Sequence, residues 1–235
     1  SGSVLGLTWH HYTQDGSVGE WHNNVYFKEL FPTGEDATSE IILNENDSGS
    51  YPKLAWTGSE FGVVWYCGGI CFARVNAGGN KIGETSQFSL LDPPYIRFRP
   101  PVWTGSEFGI VFQDDRAEES YNQIYFIRIN SYGEQQGEDV MLSNPMYSAR
   151  DPQIAWTGSE FGAVWIPNET RVLIFHRADP TGEAISDDLE LAEATPGDPF
   201  PIDLVWTGSE FGVVWVWTPF DSRNGTYFNR IGFCD

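Results

Sequence analysis

The chain of 235 residues has little positive charge: 13 Lys and Arg stand against 33 Asp and Glu, a formal net charge of −20. Such a balance repels phosphate backbones and anionic lipid surfaces, and so excludes nucleic acid as a general partner. No apolar run approaches the roughly 20 residues that a membrane-crossing helix needs, so membrane insertion by helices is excluded as well. Leu-rich helical patterning is missing. The start carries no Met, charged leader or apolar signal segment and reads as a mature or excised product. G-x-S-x-G, H-E-x-x-H, P-loop and dinucleotide signatures are all missing, which removes the commonest enzyme readings.

Cysteine is scarce, with three in all. Cys67 and Cys71 flank a short "GGI" in what reads as a tight hairpin, where either a local disulfide or two buried thiols would fit. Cys234 is left over. A C-x3-C pair without a second pair or nearby His is a poor metal site.

Aromatic residues are plentiful: they make up 15% of the chain and include ten Trp. Four of the Trp open near-identical decapeptides: "WTGSEFGVVW" at Trp56 and Trp206, "WTGSEFGIVF" at Trp103 and "WTGSEFGAVW" at Trp156. The opening "SGSVLGLTW" aligns with them as a fifth, truncated copy. A period near fifty residues means stacked units, here approximately 1–50, 51–98, 99–150, 151–200 and 201–235 of a single domain.

Each unit reads as four short strands. The first ends in the opening Trp; T-G-S-E turns the chain into the second, "FGVVW"; the third is aromatic, as in "QIYFIRI"; a Gly turn leads to a weak fourth. Four antiparallel strands per fifty residues describe a propeller blade. The expected fold is therefore all-β, a five-bladed β-propeller of four-stranded antiparallel blades whose first and last blades each lack a strand. Either flanking sequence or a neighbouring chain would complete them, since an open strand edge is a template for pairing.

In such a blade the T-G-S-E and Gly turns share one face, and the loops that vary between copies lie on the other. The decapeptide is then scaffold, its Gly residues supplying turn conformations that other residues resist. Glu in the turn and Arg in the third strand change together: the first copy has Val4 and Glu29 in their places. Four ion pairs are expected, Glu60–Arg74, Glu107–Arg128, Glu160–Arg177 and Glu210–Arg230.

Candidate ligand residues fall in the variable second-to-third loops. They are His10, His11, Tyr12, Trp21 and His22, then Asp114, Asp115, Arg116 and Tyr121, then Trp217, Asp221 and Arg223. Aromatic platforms beside carboxylates suit sugars, whose C–H faces stack on rings while hydroxyls take paired hydrogen bonds. The three His have no spacing that enforces a metal site, and no cofactor is expected. "DDRAEE" and "NENDSG" are acidic enough for calcium yet lack the ordering of an EF-hand loop. Sequons occur at Asn46, Asn168 and Asn224.

The motif P-x-[IL]-A-W-T-G-S-E-F-G-x-V-W, followed by an "IYF-x-R" strand and a Gly turn, resembles the tandem repeats of secreted bacterial β-propeller proteins. The organisation is also similar to five-bladed lectins of the tachylectin type, whose blade motif differs, so that no sugar-binding residue carries over. The resemblance implies a secreted or cell-surface protein. The expected function is a non-enzymatic extracellular binding module for glycan. The alternatives are a structural subunit that self-associates through open edge strands, and a glycoside-acting enzyme.

Overall fold

The computed structural model describes residues 4–14, 21–44, 48–88, 97–116, 121–191, 198–218 and 225–232. Among these residues the chain is all-β, without a helix. Asp221, Arg223, Cys234, Asn46 and Asn224 lie outside the described residues.

Five antiparallel sheets follow one another along the chain. The first holds β1 (Leu5–Gln14), β2 (Trp21–Leu30) and β3 (Ile41–Ile42). The second runs β4 (Ser50–Trp56), β5 (Glu60–Tyr66), β6 (Ile70–Asn76) and β7 (Lys81–Phe88) in sequence order. In the third, a divided first strand, β8 (Arg97–Phe98) and β9 (Val102–Trp103), lies on β10 (Glu107–Asp114), followed by β11 (Gln123–Asn130) and β12 (Val140–Met141). The fourth holds β13 (Ala149–Trp156), β14 (Phe161–Pro167), β15 (Ile174–Ala178) and β16 (Leu189–Glu190). The last has β17 (Asp198–Trp206), β18 (Phe211–Thr218) and β19 (Gly225–Ile231). The first sheet thus has no strand of the "KLAW" type and the last has no fourth strand among the described residues.

The chain divides into two compact units. One contains the first two sheets with Gly105–Phe108 and Ile129–Gln135; the other contains Gly109–Arg128 and the fourth and fifth sheets.

The T-G-S-E turn explains its own letters. Gly58, Gly105, Gly158 and Gly208 have φ between +102° and +106°, a region that a side chain strains. Thr57 Oγ1 accepts from the backbone N–H of Ser59 and Glu60 at 3.3 and 3.0 Å and donates to the Glu60 carbonyl at 3.0 Å. Thr157 makes the same three bonds. Glu60 then receives Arg74 through two bonds of 2.9 and 2.8 Å, and Glu160 receives Arg177 at 2.9 and 2.7 Å. Glu210 meets Arg230 at 3.2 Å.

The second glycine of the motif has a different cause. A β-carbon added at Gly6, Gly62, Gly109 or Gly162 would lie 2.5 to 2.7 Å from the ring of Phe61, Phe108, Phe161 or Phe211. The Phe of each repeat therefore closes on the Phe-Gly strand of the repeat before it. That ring also meets the third-strand Phe of the preceding repeat, with centroids 4.8 to 5.2 Å apart at Phe27–Phe61, Phe72–Phe108, Phe126–Phe161 and Phe175–Phe211. Successive sheets are joined by aromatic packing of this kind.

The segment His10–Asn24, expected as a loop, is mostly strand. β1 and β2 pair continuously from Leu5↔Leu30 to Gln14↔Trp21. Its Thr, Tyr and Trp residues are β-formers, and pairing satisfies backbone groups that a loop would leave to water. Cys67 and Cys71 are joined by a disulfide across the β5–β6 turn.

Glu29, which stands where other repeats carry Arg, is 1% exposed, and among the described residues its Oε1 has no hydrogen-bond partner. Burial pushes its carboxyl above the usual glutamate range. The folded state then holds the proton more tightly than the unfolded chain, so stability is lost as pH rises from about 4.3 through the folded value. Glu29→Gln is expected to raise the thermal midpoint at pH 7 and to give no gain below pH 4, as read from melting curves at both pH values.

Candidate functional site

The residues singled out from sequence separate into several environments. His10, His11 and Tyr12 lie on β1, and Trp21 and His22 on β2. The His10 ring stands edge-on to Tyr51 at 5.3 Å and to Tyr12 at 6.2 Å, and its Nδ1 accepts the Tyr51 N–H at 3.2 Å. Tyr121 is 39% exposed, and Asp115 is half-buried.

Asp114 and Arg116 belong to the scaffold. Arg116 Nε donates to Asp114 Oδ2 at 2.6 Å and its Nη1 to Asp139 Oδ2 at 2.5 Å, while the guanidinium lies over the Tyr125 ring at 4.4 Å. Burial opposes the Arg116 charge, but the Asp139 and Asp114 carboxylates outweigh it and raise its pKa further. Asp114 is fully buried. Trp217, 6% exposed on β18, is likewise a packing residue rather than an open platform.

A concave site lies elsewhere, on the fourth sheet. It is a cavity of about 180 Å³ walled by Asn144, Tyr147, Trp165, Thr170, Asp188 and Glu190, with Ser143, Ala149, Pro167 and Ile174. Residues 143–148 join the third repeat to the fourth, Pro167 ends β14, and Thr170 belongs to the loop that follows it. Both loops are variable segments of the kind expected to form the binding face. The volume is below the roughly 300–1,000 Å³ of a pocket for a drug-sized ligand, and suits one small ring or polar group.

Local structure holds the wall in place. Ser143 Oγ accepts the Ile124 N–H at 2.9 Å and donates to Gln123 Oε1 at 2.6 Å; Gln123 Nε2 in turn donates to the Tyr147 carbonyl at 3.0 Å. Asn144 Oδ1 accepts the Met146 N–H at 2.9 Å, shaping the turn that presents Tyr147. Asp188 and Glu190 stand two apart in the chain, and both line the cavity.

Asp188 is oriented by His176, whose Nδ1 lies 2.7 Å from Oδ1. His176 is 5% exposed and lies against the Trp165 ring, with centroids 5.3 Å apart. Among the described residues, the buried His176 Nε2 has no hydrogen-bond partner. His176 pairs across the sheet with Ala163, where the same register joins Val63 to Ala73 and Val213 to Asn229. The fourth repeat thus sets a small residue, Ala163, opposite an imidazole, where the second and fifth repeats have Val on the second strand. His176 does not itself line the cavity and reaches it through Asp188.

No family model and no curated protein matches the chain. Solved structures do share its fold. An acylaminoacyl peptidase of Pyrococcus horikoshii is 11% identical with a TM-score of 0.55, over 97% of this chain and 37% of that one. A thermostable family-43 glycoside hydrolase is 13% identical with a TM-score of 0.50, over 97% of this chain and 91% of that one. The fold is β-propeller-like. An exo-β-1,3-galactanase of Phanerochaete chrysosporium, solved with β-1,3-galactotriose, is 10% identical with a TM-score of 0.52, over 97% of this chain and 60% of that one. The chain spans 37% and 51% of the first two such structures, the peptidase and TolB from Acinetobacter baumannii.

Proposed function

We propose that this chain is a five-bladed, secreted β-propeller whose first and last blades are each one strand short, and that the cavity on its fourth blade binds a carbohydrate. The observation that carries the reading is the wall itself, where Tyr147 and Trp165 supply ring faces and Asp188 and Glu190 supply acceptors within one small cavity. Sugars present apolar C–H faces and ring hydroxyls together, and this combination meets both needs. Among the described residues the lining carries the Asp188 and Glu190 carboxylates and no Lys or Arg, so a neutral or amino sugar is favoured over a uronic or sialic acid.

The test is calorimetric titration with neutral, amino and acidic sugars. Saturable binding of a neutral or amino sugar is expected, weakened about tenfold by Asp188→Asn, whose charged hydrogen bond is worth about 1.5–3 kcal/mol. Tyr147→Ala is expected to weaken it by a factor of roughly 2 to 10, for an aromatic contact of about 0.5–1.5 kcal/mol. Binding unaffected by both variants would place the site elsewhere.

The Asp188 and Glu190 pair also favours a second reading, a glycoside-acting enzyme, because such chemistry rests on two carboxyl groups. Release of reducing sugar that falls by orders of magnitude in Asp188→Asn or Glu190→Gln would select it over the binding module.

A further inference from the structure

Asp188 stands just beyond the point where the ladder of the fourth sheet stops. β16 pairs with β15 through Ile174↔Glu190 and Phe175↔Leu189, and the Leu191 N–H donates to the Leu173 carbonyl at 2.8 Å. The same register next brings His176 to Asp188, where the strand has ended. A side-chain bond stands in place of the missing ladder pair, with His176 Nδ1 2.7 Å from Asp188 Oδ1.

The third repeat shows what the same position does without a cavity. β12 pairs with β11 through Tyr125↔Met141 and Phe126↔Val140, so Ile127 and Asp139 stand where His176 and Asp188 stand in the fourth. Asp139 accepts from Arg116 Nη1 at 2.5 Å, and its side chain is 13% exposed. Asp188 is 44% exposed on the wall of the cavity, and an imidazole holds it instead of a guanidinium. One acid position thus serves the scaffold in one repeat and faces a ligand space in the next.

Packing does not explain the imidazole. His176 is buried with Nε2 unpartnered among the described residues, and a buried polar atom in that state costs stability. The second repeat has Ala73 and the fifth has Asn229 at the same register, so the sheet forms without a ring there. What His176 adds is an N–H for Asp188, on a ring held against Trp165.

We infer that His176 is the positioning residue of this cavity: its Nδ1–H fixes Asp188 Oδ1, and Oδ2 is left to accept from a hydroxyl or ammonium group of a ligand that His176 does not touch. The inference rests on the reading of the cavity as a sugar site. A carboxylate fixed before the ligand arrives loses less freedom on binding, and the imidazole raises affinity in this way.

The test uses the whole chain, titrated calorimetrically with glucose, galactose and glucosamine. His176→Phe keeps a ring against Trp165 and removes the donor. It is expected to weaken binding about tenfold, as Asp188→Asn does, with little change in thermal midpoint. His176→Asn returns an N–H near the place of Nδ1 and is expected to bring affinity back to within about threefold of the unaltered chain. In the Asp188→Asn background His176→Phe is expected to cost nothing further, because the ring acts through that carboxylate. Nitrogen-15 spectra of the unaltered chain at about pH 8, recorded without sugar, are expected to show the His176 proton on Nδ1. Unweakened binding in the Phe variant, equal losses in the Phe and Asn variants, a Phe loss that adds in full to that of Asp188→Asn, or a proton on Nε2 with Nδ1 bare overturns the inference. An unaltered chain that binds none of the three sugars overturns the sugar reading instead, and the spectra then still decide whether His176 holds Asp188.

Discussion

Replacing Arg116 with alanine is expected to destabilise the protein by about 3–5 kcal/mol, the cost of leaving a buried charge without its partner. Asp114 is fully buried and Asp139 nearly so, with side-chain exposures of 0% and 13%, and both meet the same guanidinium. The substitution also removes the cation from the faces of Tyr125 and Phe112, 4.4 and 5.3 Å away. Chemical denaturation read by tryptophan fluorescence measures the loss. Arg230→Ala is the control, because an ion pair with an Arg this exposed contributes only about 0–1 kcal/mol. A loss of less than about 1 kcal/mol for Arg116→Ala would show that the two aspartates find other partners or water.

Phe161→Ala is expected to cost about 3–5 kcal/mol, as for other buried aromatic deletions. The ring is 2% exposed, 4.5 Å from Trp156 and 4.8 Å from Phe126 between centroids, and it covers Gly109. Gly109→Ala alone is expected to cost about 1–3 kcal/mol, because its β-carbon would meet the ring at 2.7 Å. The two changes should not add. Once the ring is gone the added methyl enters the space it left, so the double variant should be more stable than the sum of the single losses predicts. Strict additivity would mean that the ring and the glycine do not share one packing site.

Much of this fold is legible in the sequence because its causes are local or repeated. Thr, Gly, Ser and Glu of the turn act within four residues, so their roles follow from turn chemistry. The Glu–Arg pairs follow from the chain comparing itself with itself, since the first copy changes both positions at once. The candidate site is less legible. Its residues come from an inter-repeat loop, a second strand, a short fourth strand and the segment before it, and sequence spacing does not bring these together. Trp165 belongs to the repeated decapeptide and reads as scaffold, although it lines the cavity as well. Asp114 and Arg116 look like loop chemistry because two acids flank an Arg, whereas the distant Asp139 and the Tyr125 face turn them into a structural cluster. The outer part of the β1–β2 pair, His10–Gln14 with Trp21–Asn23, is hidden because polar residues dominate it and read as a loop.

The central claim is that the cavity beside Trp165 and Asp188 holds a sugar, and the indole resonances of the chain test it directly. Ten tryptophans give ten indole N–H signals, assignable by single substitution to Phe. On titration with a neutral sugar that binds in calorimetry, the Trp165 signal is expected to shift most, with the other nine nearly still, and the shift should vanish in Asp188→Asn. A Trp165 signal that stays in place while sugar binds, or one that moves no more than the indoles of the other repeats, would contradict the assignment of this cavity as the binding site.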